Sequence, residues 1–324
     1  MVPANMAFEQ KITAQINQRA ELLEGAGIAD NIKLKVAAEI REFWPNPQGR
    51  PCLAAVRVGD DPASEVYVKN KIRACEEVGI RSEHHALPGS TTAGELRELI
   101  ASLNSRDEID GILVQMPLPE EIDEAAIIET LDPAKDVDGF HPVNVGRLAL
   151  GRPTFVPCTP GGIIELLNWS GIQIRGANAC VVGRSQIVGR PMAQLLTQND
   201  ATVTICHSRT QDLKFMTRQA DILVVAIGRA GLIRRDFIKP GATVIDVGMN
   251  RIFEESTARE LFSDEAERRV EIIKKRGYTL VGDVHPAEAD EVAGRRTPVP
   301  GGVGLLTVAM LMRNTVKAAR QRRG

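Results

Sequence analysis

The sequence predicts two α/β domains with parallel sheets, and three observations carry that expectation. The chain has 324 residues, more than one small core organises and enough for two domains. Short apolar, partly β-branched runs alternate with helical patterns, as when helices cover a parallel sheet. A Pro/Gly-rich stretch from Gly151 to Gly162 interrupts the alternation and reads as a domain boundary or hinge. On that division, residues 1–150 and a returning C-terminal segment, 304–324, form one domain. Residues 151–303 form the other.

The elements follow in order. Ile28, Ile32, Val36 and Ile40 recur every four residues and mark the apolar face of a helix that ends near Trp44 and Pro45. Leu53 to Val58 reads as a buried strand. Asp61-Pro62 opens a helix, with proline suited to its first turn, and Gly79 closes it. Thr92 followed by Glu95 is a capping box that starts a helix running to about Asn104. Ile109 to Val114 is a strand cut off by Pro117 and Pro119. In the second half the strands are Ala179–Val182, Thr202–Cys206, Ile222–Ala226, Thr243–Val247 and Thr279–Val281, expected in one doubly wound parallel sheet. The charged stretch Glu254 to Arg276 reads as an exposed helical insertion, and Gly304 to Arg320 as a final helix.

Composition excludes several partners. Forty basic and forty-two acidic residues give a net charge of −2, without the concentrated positive surface that nucleic acid or an anionic membrane requires. The basic cluster Lys317 to Arg323 is expected to complement the dipole at the end of the last helix. There is no run of about 18 apolar residues to span a bilayer. Met1 to Met6 lack the charged-then-apolar order of a signal peptide. The five cysteines contain no C-x-x-C pair, so no zinc or redox motif is expected, and a dispersed odd set suits a reducing, cytoplasmic setting.

Ala179–Val182 runs into Gly183-Arg184-Ser185-Gln186-Ile187-Val188-Gly189 and then a helix. A strand, a tight glycine turn and a helix N-terminus make an anion site, because backbone N–H groups and the helix dipole face a pyrophosphate there. Ser185 replaces the second glycine of the usual fingerprint and Gly189 comes one residue late, and such a turn by itself is more often structural than ligand-binding. The next strand is more discriminating. It ends in Cys206-His207-Ser208-Arg209-Thr210, without the carboxylate that holds an unphosphorylated ribose. Ser208, Arg209 and Arg184 suit a 2′-phosphate instead, so the domain is expected to be Rossmann-like and to prefer NADP to NAD. Ala226-Ile227-Gly228 and Asp246-Val247-Gly248-Met249 end later strands, where a doubly wound sheet places its ligand.

In the first half, Tyr67 and Lys71 share a helix face by their spacing of four. Gln115 is a polar residue closing an apolar strand. Lys135-Asp136-Val137-Asp138-Gly139-Phe140 is a carboxylate-rich turn with too few ligands for a metal site, and none is expected. Each feature alone is ordinary, as a surface pair, a strand end and a turn.

Their order is not ordinary. V-G-D-D-P-A-S-x-x-Y-V-x-x-K from Val58 to Lys71, G-I-L-V-Q-M-P-L-P from Gly111 and K-D-V-D-G-F from Lys135 come first. P-C-T-P from Pro157, G-R-S-x-I-V-G-R-P from Gly183 and T-P-V-P-G-G-V-G from Thr297 follow. From about Ile28 to Thr315 the chain resembles the bifunctional methylenetetrahydrofolate dehydrogenase/methenyltetrahydrofolate cyclohydrolases. The resemblance implies NADP-dependent oxidation of 5,10-methylenetetrahydrofolate and hydrolysis of the methenyl product to 10-formyltetrahydrofolate. That chemistry belongs to one-carbon metabolism feeding purine, methionine and histidine biosynthesis. It further implies an active-site cleft between the domains and a homodimer.

Residue by residue, the resemblance makes Lys71 the catalytic lysine, Tyr67 the tyrosine beside the folate and Gln115 the support of the lysine. It makes Asp138 the aspartate that recognises the pterin, and Pro300-Gly301-Gly302 the loop closing on the ligands. Gly183, Arg184, Ser185, Val188, Gly189, Ser208, Arg209, Ala226, Gly228 and Met249 are the expected NADP contacts. One rival reading is a dehydrogenase that lacks cyclohydrolase activity or prefers NAD, against which Lys71 and the basic 2′-phosphate set respectively argue. The other is a non-catalytic NADP- or folate-binding regulator, against which Tyr67, Lys71, Gln115 and Asp138 together argue. The chain departs from the pattern at Leu305-Leu306, where proline and methionine are usual, and at Gly161, where a larger polar residue is common. The insertion at Glu254–Arg276 and the extension before Phe8 are further departures.

Overall fold

A computed structural model describes residues 19–152 and 154–324, apart from the side chains of residues 62, 63 and 66. The expected N-terminal extension before Phe8 and the Met1–Met6 segment lie outside the described residues. The chain forms two compact units. One holds residues 19–25 and Ile163–Gly304; the other holds Ala26–Gly162 and Leu305–Gly324. Residues 19–25, which the sequence division put with the first domain, here join the later sheet, and 151–162 stay with the earlier one.

The unit containing Ala26–Gly162 is built on a three-stranded parallel sheet in the order β3-β2-β4. Its strands are β2 (Cys52–Val58), β3 (Arg81–Leu87) and β4 (Gly111–Val114). Every residue of β2 and β4 is buried, as expected of parallel strands covered on both faces. Cys52, Ala54, Val56 and Val58 pack against Leu96, Ile100 and Leu103 of α3 (Ala93–Ser105). Helix α1 (Ala26–Phe43) buries the stripe Ile28, Ile32, Val36 and Ile40. Helix α2 (Pro62–Val78) starts where Asp61 accepts the Ser64 N–H at 2.7 Å and ends at Gly79, whose φ of +90° favours glycine. The Thr92–Glu95 capping box at the start of α3 is fully formed. Short helices α4 (Glu124–Ile128) and α5 (Pro142–Ala149) lead to α6 (Cys158–Trp169). The Pro/Gly-rich stretch is therefore helical from Cys158 onward rather than a hinge, while the division between the units falls at its end, between Gly162 and Ile163.

Two glycines of α6 explain that helix. A Cβ on Gly161 would come within 2.6 Å of Met310 Cε, and one on Gly162 within 2.7 Å of Leu306 Cβ. Both partners lie on α12 (Val303–Arg323), so bare glycine backbone lets the two helices approach. The departures at Gly161 and Leu306 thus belong to one contact. Arg320, Arg322 and Arg323 fall in the last turn of α12, as expected of the basic C-terminal cluster, and the cluster also ties that helix down. Arg322 and Arg323 both bind the fully buried Asp110, Lys317 donates to the Thr154 carbonyl, and Arg320 pairs with Glu39 at 3.1 Å.

The other unit is a six-stranded parallel sheet in the order β1-β11-β8-β7-β5-β6. Its strands are β1 (Glu21–Leu22), β5 (Asn178–Val182), β6 (Thr202–Cys206), β7 (Ile222–Val225), β8 (Thr243–Asp246) and β11 (Arg295–Arg296). Helices α7 (Gly189–Gln198), α8 (Leu213–Thr217) and α11 (Pro286–Val292) lie between its strands in the chain. Val182, Cys206, Leu223, Val225 and Val244 form the centre of its core. The sequence reading placed Thr279–Val281 in this sheet. As β10 it instead pairs antiparallel with β9 (Asn250–Ile252) in a separate two-stranded ribbon, since a three-residue strand closing a local hairpin-like insertion needs no crossover.

That ribbon brackets the insertion, which is not simply exposed. Helices α9 (Glu255–Leu261) and α10 (Ala266–Arg276) bury Ala258, Leu261, Phe262, Val270 and Ile273 against Ile252 and Val281. Arg269 lies over the Phe262 ring and donates to the Val299 carbonyl at 3.3 Å, tying the insertion to the Pro300 loop. The charged residues occupy the outer helix faces, and the apolar ones every third or fourth position build a small core of their own. No helix among the described residues is long and apolar enough to cross a membrane.

Candidate active site

In the three-stranded unit, three elements bring the expected folate residues together. Tyr67 and Lys71 stand one turn apart on α2; Lys71 is 9% exposed and Tyr67 37%. Gln115 follows β4, and its N–H continues the ladder by donating to Val56 O at 2.8 Å. Lys71 Nζ donates to Gln115 Oε1 at 3.0 Å, while Gln115 Nε2 donates to the Met116 carbonyl at 2.6 Å. The carboxamide is thus oriented by the carbonyl of the next residue, with its oxygen left for the amine.

Asp138 sits on the turn between α4 and α5, which is bridged to β4 through Ile112 and Asp136. Burial pushes its carboxyl above the usual range, against the pull of the Lys71 ammonium and a hydrogen bond from the Cys158 thiol. The Cys158 thiol is in turn pushed well up, chiefly by burial. Asn314 of α12 donates to the Val137 carbonyl at 2.8 Å and to that of Val156 at 3.0 Å, pinning the backbone just before Asp138. The other residues of the K-D-V-D-G-F turn are structural. Lys135 is buried and caps the end of α3, donating to the carbonyls of Leu103, Asn104 and Arg106 at 2.6–3.1 Å. Asp136 accepts from Gly139 N, His141 N and Asn144 Nδ2 at 2.8–3.1 Å.

The expected dinucleotide residues all lie in the six-stranded unit, at the carboxyl edge of the parallel strands. The chain leaves β5 toward β6 on one side and returns to β7 on the other, so the strand order reverses at β5. A doubly wound sheet opens its ligand crevice at that point. Gly183, just beyond β5, has φ +133°, and a Cβ there would strike the Ala226 carbonyl. A Cβ on Gly189 would strike the carbonyl of Gly183. Both glycines are therefore required by the closeness of the turn itself. Ser185 Oγ accepts from Val188 N at 3.2 Å and Gly189 N at 3.3 Å, where α7 begins.

Arg184, Ser185, Ser208, Arg209 and Gly228 are exposed on this edge, and Val188 and Ala226 are half-buried. The turn after β6 is shaped locally: Arg209 N donates to His207 Nδ1 at 3.1 Å and His207 N to Thr210 Oγ1 at 2.9 Å. Because Gly183 N donates to Cys206 O, the Arg184 and Arg209 turns leave adjacent strands. Met249 is exposed after β8, and Gly302 is buried beside Pro298, with Pro300 exposed. The Pro300-Gly301-Gly302 loop thus belongs to the six-stranded unit, whereas Tyr67, Lys71, Gln115 and Asp138 belong to the other. A bare glycine turn, two flanking arginines and no carboxylate on the β6 turn fit a phosphorylated dinucleotide.

Sequence reasoning left two residues of this edge without a role: Asp246 was quoted only within a strand-end run, and Asp283 not at all. Asp246 ends β8 and Asp283 follows β10, and both are buried. Burial pushes the Asp246 carboxyl up to about 7, although the N–H groups of Val284, Asp283 and Gly248 pull the other way. The available signal was an aspartate beside glycine at an apolar strand end, in Asp246-Val247-Gly248 and Gly282-Asp283. Cys158, too, was quoted only as part of a motif.

Comparison with known proteins agrees with this arrangement. The family model for the tetrahydrofolate dehydrogenase/cyclohydrolase catalytic domain matches residues 23–138, and that for the family's NAD(P)-binding domain matches 157–323. The bifunctional protein FolD of Koribacter versatilis is 55% identical over 305 residues, 94% of this chain and 98% of that protein. The FolD methylenetetrahydrofolate dehydrogenase/cyclohydrolase structure from Campylobacter jejuni superposes with a TM-score of 0.83 at 43% identity, covering 94% and 99% of the two chains. The Trypanosoma brucei dehydrogenase-cyclohydrolase, solved with NADP and an inhibitor, gives 0.85 at 38% identity, covering 94% and 99%. The chain belongs to the tetrahydrofolate dehydrogenase/cyclohydrolase family.

Proposed function

We propose that this protein oxidises 5,10-methylenetetrahydrofolate with NADP to 5,10-methenyltetrahydrofolate and hydrolyses that cation to 10-formyltetrahydrofolate. The observation that carries the reading is the nearly buried Lys71 amine held by Gln115 at 3.0 Å, beside Asp138. The relatives' bifunctional and NADP-bound descriptions support it.

NADP, when bound, accepts the hydride that leaves the carbon between two folate nitrogens. Those nitrogen lone pairs stabilise the cation, so the residues have mainly to orient the reactants. Gly183, Arg184, Ser185, Val188 and Gly189 hold the dinucleotide at the β5 turn. Ser208 and Arg209, with Arg184, hold the 2′-phosphate, while Ala226, Gly228 and Met249 line the later strand ends. Asp138 accepts hydrogen bonds from the pterin, Tyr67 packs beside it, and Pro300-Gly301-Gly302 closes on the ligands. In hydrolysis, Lys71 manages the proton as water attacks the methenyl carbon, and Gln115 fixes the amine without adding charge.

We assign the folate and catalytic role to the residues of 1–150 and 304–324 and the NADP role to those of 151–303, with the boundary shifts described above. The same reading makes the protein a cytoplasmic homodimer. Its five buried, unpaired cysteines support a reducing compartment. The outer edge of β6, where Ile205 is 44% exposed, supports pairing between copies.

An absorbance assay tests the reading. With 5,10-methylenetetrahydrofolate the protein is expected to reduce NADP much faster than NAD, and with methenyl substrate alone to bleach it above the buffer rate. Lys71→Ala is expected to abolish that bleaching while NADP still binds. Full methenyl hydrolysis by the variant removes Lys71 from the mechanism.

A further inference from the structure

Asp283 has no exposed surface, yet its carboxylate is one of the most heavily hydrogen-bonded groups in the six-stranded unit. Oδ2 accepts from Ile227 N at 2.6 Å and Gly228 N at 3.0 Å. Oδ1 accepts from Arg229 N at 2.8 Å and Asn250 Nδ2 at 2.9 Å. Three consecutive amides converging on one carboxylate leave the turn after β7 a single conformation. That turn carries Ala226 and Gly228, and Asn250 adjoins Met249.

A second carboxylate sets the first. Asp246 accepts from Gly248 N at 3.0 Å, Asp283 N at 2.9 Å and Val284 N at 2.9 Å. A Cβ on Gly248 would collide with the Asp283 carboxylate, and one on Gly282 with the Asp246 carboxylate. The two aspartates and two glycines form a crossed brace without room for an extra methyl group. Burying a carboxylate is costly, and here the donors that offset the cost belong to segments at the dinucleotide edge rather than to a salt bridge.

We infer that Asp283 is a positioning residue for NADP, holding the Ala226–Gly228 turn and the Met249–Asn250 segment in the conformation the dinucleotide meets. This rests on the proposed NADP site, so the first measurement is calorimetric titration of the unaltered full-length protein with NADP. No binding there defeats the functional reading itself.

If the unaltered protein binds NADP, Asp283→Asn is decisive. The carboxamide keeps one acceptor oxygen and turns an NH2 group toward amide donors. Kd and KM for NADP are expected to rise about tenfold, equivalent to about 1.4 kcal/mol. The kcat at saturating NADP should change less than about threefold, and methenyl hydrolysis without dinucleotide should be unchanged. NADP affinity within about twofold of the unaltered protein overturns the inference. So does a parallel loss of methenyl hydrolysis, which marks a merely structural role. If Asp283→Asn does not fold, Asn250→Ala decides, since it removes one donor and leaves the carboxylate. A rise in Kd of about threefold supports the inference and an unchanged Kd overturns it.

Discussion

Replacing Gln115 with methionine keeps the length of the side chain and removes both its polar atoms. Lys71 Nζ then loses its acceptor at 3.0 Å, and the Met116 carbonyl loses its donor at 2.6 Å. A hydrogen bond involving a charged group contributes about 1.5–3 kcal/mol, and a neutral one about 1 kcal/mol. If the first acts mainly by placing the amine in the transition state, methenyl hydrolysis slows about ten- to hundredfold, at about 1.4 kcal/mol per factor of ten. The second loss appears as about 1 kcal/mol in a urea melt. Gln115→Glu separates placement from charge. It restores an acceptor but adds an anion beside the ammonium, so its hydrolysis profile should move to higher pH while Gln115→Met keeps the original shape. Stopped-flow absorbance across the pH range reads both variants. A folded Gln115→Met protein hydrolysing at the unaltered rate would refute the role given to this pair.

Arg106 donates to both oxygens of Glu83 at 2.7 and 2.8 Å, and these bonds hold the Glu83 carboxyl below its ordinary value. A carboxyl lowered on folding stabilises above its unfolded pKa, and that contribution disappears as pH falls through the folded value. Glu83→Gln should therefore lose up to about 1 kcal/mol at pH 7 and almost nothing near pH 3, by urea melts at both; equal losses contradict this. Gly162→Ala should destabilise by about 1–3 kcal/mol, because its methyl group would meet Leu306. Gly146→Ala, with open space around it on α5, should stabilise by about 0.5–1 kcal/mol. A thermal melt in which Gly162→Ala is no less stable than the unaltered protein would show that α6–α12 packing is not tight.

The sequence was most legible where local chemistry and burial agree. The stripe on α1, the Asp61-Pro62 and Thr92–Glu95 caps, and the apolar strands β2, β5 and β7 each satisfy one rule that the folded chain does not override. Strand β3 was missed because Arg81-Ser82-Glu83-His84-His85 carries no apolar alternation; as an edge strand it buries little and is held by its ladder to β2. Helix α6 was missed because Thr-Pro-Gly-Gly reads as a loop, whereas its glycines serve a contact with residues far along the chain. The insertion looked solvated because charge dominates its composition, while its few apolar positions form a core. In the candidate site, Lys71, Gln115 and Asp138 were found through family resemblance, since each alone is an ordinary residue. The bracing roles of Asp246 and Asp283 escaped because nearly all their partners are backbone amides, which leave no pattern in side-chain identity.

The division of the chain into interleaved pieces has a consequence for synthesis on the ribosome. The sheet of β2, β3 and β4 emerges early, but Asp110, Gly161, Gly162 and the turn before Asp138 wait for partners on α12. At about 5–20 residues per second, that interval is on the order of ten seconds. Through it the nascent polypeptide carries an uncovered apolar surface where α12 will seat, which makes this stretch a natural client for a holding chaperone.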